Sequence, residues 1–173
     1  ALDKAGQIEA LQNRSIDLGF NRLLTPVPGL MIEELAREKL FAVVPDPGPW
    51  SERDRITLAE LAAEPMVLFP ASSAQGFAEK VTGLCHEAGF APNVAQVAGD
   101  GFTAMALVAA GFGISLVPDS ITKVSMEGVR CLPLETTPSA HACVDISCIY
   151  REGDRSATLL NFRACQRLEA DGQ

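Results

Sequence analysis

Apolar residues first recur at helical spacing: Leu2, Ala5, Ile8 and Leu11 fall on one side of a helix, and Asn13-Arg14-Ser15 supplies the turn that ends it. The period then shortens to two. Ile16, Leu18 and Phe20 alternate with Asp17 and Gly19, which predicts a half-buried strand. Thr25-Pro26-Val27-Pro28-Gly29 reads as a loop, and residues 30–44 as extended chain ending in the apolar run Leu40-Phe41-Ala42-Val43-Val44. Such a run suits a strand covered on both faces. Pro45-Asp46-Pro47-Gly48-Pro49 breaks regular structure, and a short helix is predicted from Thr57 through Ala62.

Met66-Val67-Leu68-Phe69 predicts a buried strand, followed by a Ser-rich loop and a helix with Phe77, Val81, Leu84, Cys85 and Ala88 on one face and Gly89 as its stop. Further along, the pattern predicts strands over 93–98, 114–117 and 130–134, with a helix over 102–110. Near the end Val144, Ile146, Cys148 and Tyr150 alternate with Asp145 and Ser147, and a last helix, capped by Ser156, carries Ala157, Leu160, Ala164 and Leu168. Alternating strands and helices predict an α/β class with a mainly parallel sheet or sheets. The breaks at 45–49 and 136–139 predict a middle lobe, residues 39–139, inserted between two pieces of another lobe, residues 1–38 and 140–173.

Composition narrows the class. With 47% hydrophobic and 21% charged residues among 173, the chain is globular rather than disordered. A net charge of −8 excludes a chain that holds DNA by itself, because phosphate binding needs clustered Lys and Arg. Five cysteines without a C-x-x-C pair point to free, buried thiols and a reducing cytoplasm. The first residues lack the basic and apolar regions of a secretory signal. Residues 101–118 carry no ionised side chain, yet Gly111 and Gly113 interrupt them, so they read as buried core rather than a membrane span.

Few residues offer chemistry. Gly111-Phe112-Gly113 follows a helix and precedes a strand, the reverse of a dinucleotide-binding turn. Cys85-His86 and His141-Ala142-Cys143 lack the spacing of a zinc site, so no metal or other cofactor is expected. Ser72-Ser73 lies in no nucleophile elbow, and the carboxylates of Glu33, Glu34, Glu79 and Asp100 form no acid–base pair by spacing. A binding protein, not an enzyme, is therefore expected. Within Phe69-Pro70-Ala71-Ser72-Ser73-Ala74-Gln75-Gly76-Phe77 a strand runs out into hydroxyls and backbone N–H groups at a helix start, a place for a carboxylate or phosphate. Arg22 follows a strand at its C-terminal end, where ligands gather in α/β sheets.

The stretch Gln7-Ile8-Glu9-Ala10-Leu11 followed by Ser15-Ile16-Asp17-Leu18-Gly19-Phe20 resembles LysR-type transcriptional regulators. So do Ala88-Gly89-Phe90-Ala91-Pro92 and, more specifically, Leu107-Val108-Ala109-Ala110-Gly111-Phe112-Gly113-Ile114-Ser115-Leu116-Val117-Pro118. The resemblance runs from Gln7 to Leu168. It implies an effector-binding domain with the two-lobed fold of type 2 periplasmic binding proteins, two crossing strands acting as a hinge.

The Phe-Pro-x-Ser-Ser…Phe segment looks most like regulators of aromatic-compound and muconate catabolism. By that resemblance Ser72, Ser73, Gln75, Gly76 and Phe77 line the effector site from the middle lobe, Arg22 from the other, and Ile146 packs near the ligand. Lys4 stands where some relatives have a carboxylate-binding Thr, and Arg37 matches a second site of some relatives. The implied effector is a small organic anion, an aromatic or dicarboxylic acid, bound between the lobes. The implied assembly is a homodimer or homotetramer, with the helices at 3–13 and 77–88 supplying the surface. DNA contact falls to an N-terminal winged helix-turn-helix not in this chain, and the first strand, helix and second strand of the effector domain are expected to be missing as well. A solute-binding protein of a transporter is the alternative, since it shares the fold.

Overall fold

A computed structural model describes residues 2–69, 76–135 and 142–170. The chain divides into two compact units, residues 1–36 with 145–173, and residues 37–144. Two strands pass from one unit to the other. β2 (Leu30–Pro45) carries the chain out of the first unit and β8 (Cys143–Arg151) carries it back.

In the first unit, α1 (Lys4–Gln12) starts at Asp3, whose carboxylate accepts the Gly6 N–H at 2.8 Å. The chain then turns through Arg14 in the left-handed region and enters β1 (Leu18–Asn21). β1 pairs antiparallel with β8, Leu18 opposite Tyr150 and Asn21 opposite Ser147. Successive side chains of β8 point to opposite faces, and both faces are covered. Ile149 packs with Leu11, Leu30, Ile8 and Ile16 on one side; Cys148 and Tyr150 pack with Leu159, Leu18 and Phe162 on the other. Leu159 and Phe162 belong to α5 (Ala157–Ala170), preceded by Ser156, whose hydroxyl accepts the Leu159 N–H at 3.4 Å. Of the apolar side expected for α1, Leu11 is buried and Ile8 packs beside it, whereas Ala5 is exposed and Leu2 lies ahead of the helix and is exposed.

In the second unit β2 is flanked by β6 (Ser115–Pro118) and β7 (Val129–Glu135), both antiparallel to it. β3 (Ile56–Thr57) pairs parallel with β7, β4 (Pro65–Leu68) parallel with β5 (Asn93–Val97), and Met66 bridges Ile114 in parallel. Around these lie α2 (Phe77–Glu87), α3 (Gly101–Ala109) and the single turn α4 (Asp119–Thr122). Leu40, Ala42, Val43, Val44, Met66, Val67, Met105, Val108, Leu116 and Val117 form the buried interior. The ion-free stretch at 101–118 lies only partly in the core: Ala104, Met105, Val108, Leu116 and Val117 are buried, whereas Phe102 and Phe112 are exposed. No helix among the described residues is long and apolar enough to cross a membrane.

Three expectations are corrected. The sheets are not mainly parallel: β1–β8, β2–β6 and β2–β7 are antiparallel. A buried apolar run looks the same in either sense, and direction follows from which way the long strands carry the chain. Residues 57–62 hold no α-helix but the end of β3 and a 3-10 turn over Ala59–Leu61. Glu60 accepts both the Thr57 N–H at 2.8 Å and its hydroxyl at 2.9 Å, a cap that closes one turn only. The free cysteines are not all buried, since Cys165 is exposed.

Candidate functional site

In the first unit, the expected residues gather at the C-terminal end of β1. Its ladder with β8 ends on Asn21 opposite Ser147, so Arg22 leaves the strand where Ile146 precedes Ser147 on the partner. Both Arg22 and Ile146 are half-buried. Leu23, the next residue, adopts a left-handed conformation with φ 52°. Few non-glycine residues do so without support. Here both polar groups of Leu23 are gripped by side chains: its N–H donates to Asp145 Oδ1 at 3.2 Å, and its carbonyl accepts from Lys4 Nζ at 3.0 Å. The other carboxylate oxygen, Asp145 Oδ2, accepts the Ser147 hydroxyl at 2.6 Å. Lys4, Arg22 and Ile146 are therefore brought together, with Lys4 on the backbone beside Arg22.

α1 also contributes Gln7, one turn from Lys4 and on the same face. Its side-chain nitrogen donates to the Leu2 carbonyl at 3.2 Å, while its oxygen lies over Gly19, where an added Cβ would stand 2.5 Å away. A side chain at position 19 would require the Gln7 amide to move aside. Among the described residues, Gln7 Oε1 and Asn21 Nδ2 are buried polar atoms without a hydrogen-bond partner.

Arg151 ties this unit together from below. Nη1 donates to the carbonyls of Leu11 at 3.1 Å and Ile16 at 2.6 Å, and Nη2 to Asp17 and Asp154 at 2.6 Å each. Asp154 also accepts the Ser156 N–H at 2.7 Å, and that bond, with the Arg151 guanidinium, holds its carboxyl below the usual aspartate range.

In the second unit, β4 gives way to Phe69, whose ring stacks on Phe77 with centroids 4.8 Å apart. Phe77 is buried, so its ring is packed against Phe69. Gly76 precedes α2 as its cap, its N–H donating to the Glu79 carboxylate at 3.1 Å. The far edge of the Phe69 ring lies 3.3 Å from where a Cβ on Gly101 would stand, which brings the start of α3 to the same ring. At that start Asp100 accepts the Thr103 N–H at 2.9 Å and is held below its ordinary pKa by that bond. Ser72, Ser73 and Gln75 lie outside the described residues. Arg37 is exposed on β2.

Asp145, Ser147, Asn21 and Gln7 escaped the sequence reading. Asp145 and Ser147 read as the solvent side of a half-buried strand, yet Ser147 is 2% exposed and shares its face with the fully buried Ile149. The signal that could have found them is the polar pair Asp145 and Ser147 on the face of Ile149. Chemically the arrangement offers a cation, Arg22, on a braced turn, suited to a carboxylate. Among the described residues no cluster of His, Cys, Asp and Glu could hold a metal ion.

The family model described as LysR substrate binding domain matches residues 1–169. A curated relative, the HTH-type transcriptional regulator TfdS of Cupriavidus pinatubonensis, is 34% identical over 161 residues, 93% of this chain and 54% of its own length. The chain thus spans about half the length of the curated relatives it matches. Full-length CbnR, solved in complex with its target DNA, superposes with a TM-score of 0.87 at 31% identity, over 96% of this chain and 57% of CbnR. The effector-binding domain of BenM, solved with its effector benzoate, gives 0.85 at 28% identity, over 96% of this chain and 75% of that domain structure.

Proposed function

Because the chain belongs to the LysR substrate-binding domain family, we propose that it is the effector-sensing part of a LysR-type transcriptional regulator and that its effector is a small organic anion, an aromatic or dicarboxylic acid. The fold is that of the family's effector-binding domains, the two-lobed type 2 periplasmic-binding-protein-like architecture. The relatives are transcriptional regulators, so the transporter alternative is set aside, and so is catalysis as the chain's role.

The observation that carries this reading is Arg22 at the end of β1, on a turn whose next residue is held at both its N–H and its carbonyl. A guanidinium presented on fixed backbone recognises a carboxylate through charge-assisted hydrogen bonds without first ordering itself. Benzoate, the effector of the BenM domain, is such an anion. In this reading Ile146 supplies the apolar wall beside Arg22, Gly76 and Phe77 contribute from the start of α2, and Ser72, Ser73 and Gln75, which lie outside the described residues, supply polar contacts. Arg37 would serve a second site. The acidic chain leaves operator contact to other residues of the whole protein, and a homodimer or homotetramer would assemble through α1 and α2.

Thermal unfolding of the chain against benzoate, salicylate and cis,cis-muconate tests the reading. A bound effector at about 100 times its dissociation constant adds about 2.7 kcal/mol, a rise of several degrees in Tm. A rise with one compound class supports the reading and names the effector class. No rise with any small carboxylate would overturn the assignment of an organic-anion effector.

A further inference from the structure

We infer that Lys4 and Asp145 are positioning residues of the effector site: together they lock Leu23 in the left-handed conformation that presents Arg22, and Lys4 acts through the backbone rather than on the effector. The inference rests on the reading of Arg22 as the effector's cation. Lys4 would otherwise be taken for a second positive charge for the anion. Its geometry couples it to the backbone beside Arg22, since Nζ donates to the Leu23 carbonyl at 3.0 Å.

Leu23 is one of two non-glycine residues with positive φ among those described, the other being Arg14 at the end of α1. A left-handed leucine is disfavoured because its Cβ crowds the following carbonyl. Such a conformation persists where surrounding groups over-determine it. Three side chains on two elements do so here. α1 brings Lys4 to the carbonyl, β8 brings Asp145 to the N–H, and Ser147 fixes the Asp145 carboxylate by donating its hydroxyl at 2.6 Å. Ser147 is itself set by the β1–β8 ladder, opposite Asn21. Leu23 is thus clamped at its N–H from a strand and at its carbonyl from a helix. Release of either clamp lets Leu23 relax to ordinary backbone and turns Arg22 away from its bound direction.

A glycine at position 23 separates this role from direct contact, because glycine enters the left-handed region freely. The experiment titrates benzoate and cis,cis-muconate into the parent chain, Lys4→Met, Leu23→Gly, the double variant Lys4→Met with Leu23→Gly, and Arg22→Ala. Lys4→Met is expected to weaken binding about tenfold, the size of a lost left-handed preference, and the double variant to return to the Leu23→Gly value. If the double variant stays as weak as Lys4→Met, Lys4 contacts the anion and the inference is overturned. Arg22→Ala that binds like the parent would instead overturn the underlying reading of the site.

Amide hydrogen exchange provides a readout that needs no ligand. The Leu23 amide, bonded to Asp145, is expected to exchange slowly in the parent and fast in Asp145→Ala. In Lys4→Met its protection falls while that of Phe20, within the β1–β8 ladder, remains. Unchanged protection of Leu23 in Lys4→Met overturns the positioning role.

Discussion

Arg151 Nη2 lies 2.6 Å from Asp154 Oδ2, and the same guanidinium reaches Asp17 and the carbonyls of Leu11 and Ile16. One side chain thus joins the end of α1, the approach to β1 and the turn after β8. Replacing it with alanine removes a donor from the carbonyls of Leu11 and Ile16 and from the carboxylates of Asp17 and Asp154, the last of which keeps the Ser156 N–H. Arg151→Ala is expected to lower Tm by several degrees, with the loss confined to the unit that holds α1 and α5. Thermal unfolding gives the shift, and hydrogen exchange places it.

The pH dependence carries a defined sign. The Ser156 N–H, with Arg151, lowers the folded pKa of Asp154 below its unfolded value. The unfolded chain therefore takes up a proton first as pH falls, so this contribution is complete above the ordinary aspartate pKa, about 4, and is lost as pH drops through the lower folded value. Unfolding midpoints measured from pH 6 to 2.5 should fall less steeply in Asp154→Asn than in the parent over the acid end. Equal slopes would show that Asp154 contributes nothing to acid sensitivity.

Thiol reactivity divides the cysteines. Burial pushes the Cys85 thiol up to about 11, so at pH 8 roughly one molecule in a thousand carries the reactive thiolate there. Cys165 is exposed. Iodoacetamide at pH 8 followed by peptide mass mapping is expected to label Cys165 within minutes and Cys85 only after unfolding.

Two glycines of the loop between α3 and β6 differ in what they tolerate. Gly113 has φ 126°, and a Cβ there would stand 2.0 Å from the Pro65 carbonyl oxygen, against backbone that cannot swing aside. Gly111 has φ 84° with open space around it. Gly111→Ala should cost about 1 kcal/mol, the ordinary strain of a left-handed alanine. Gly113→Ala should cost on the order of 3 kcal/mol or more, because the clash adds to the strain. Denaturant midpoints compare the two.

The order of elements is legible in the sequence wherever periodicity and punctuation agree. Phe77, Val81, Leu84 and Cys85 mark α2 and are buried as their spacing predicts, and Ser156 caps α5. Pairing direction is not legible, because Leu40–Val44 reads as doubly covered whichever way its neighbours run. Nor is the brace on Leu23. It depends on Asp145, which is 122 residues away in sequence, and no local pattern marks a leucine for the left-handed region. Arg22 itself could be singled out, since its place at a strand end follows from local alternation. Its supporting residues could not, because Asp145 and Ser147 occupy positions that a half-buried strand would give to solvent.

The most direct test of the account is the heat of binding of benzoate and cis,cis-muconate to the parent chain and to Arg22→Ala, with circular dichroism confirming that both are folded. Loss of a charge-assisted pair of hydrogen bonds should weaken the bound anion by about tenfold to a hundredfold. Arg22→Ala that binds the same anion as tightly as the parent would contradict the account at its centre.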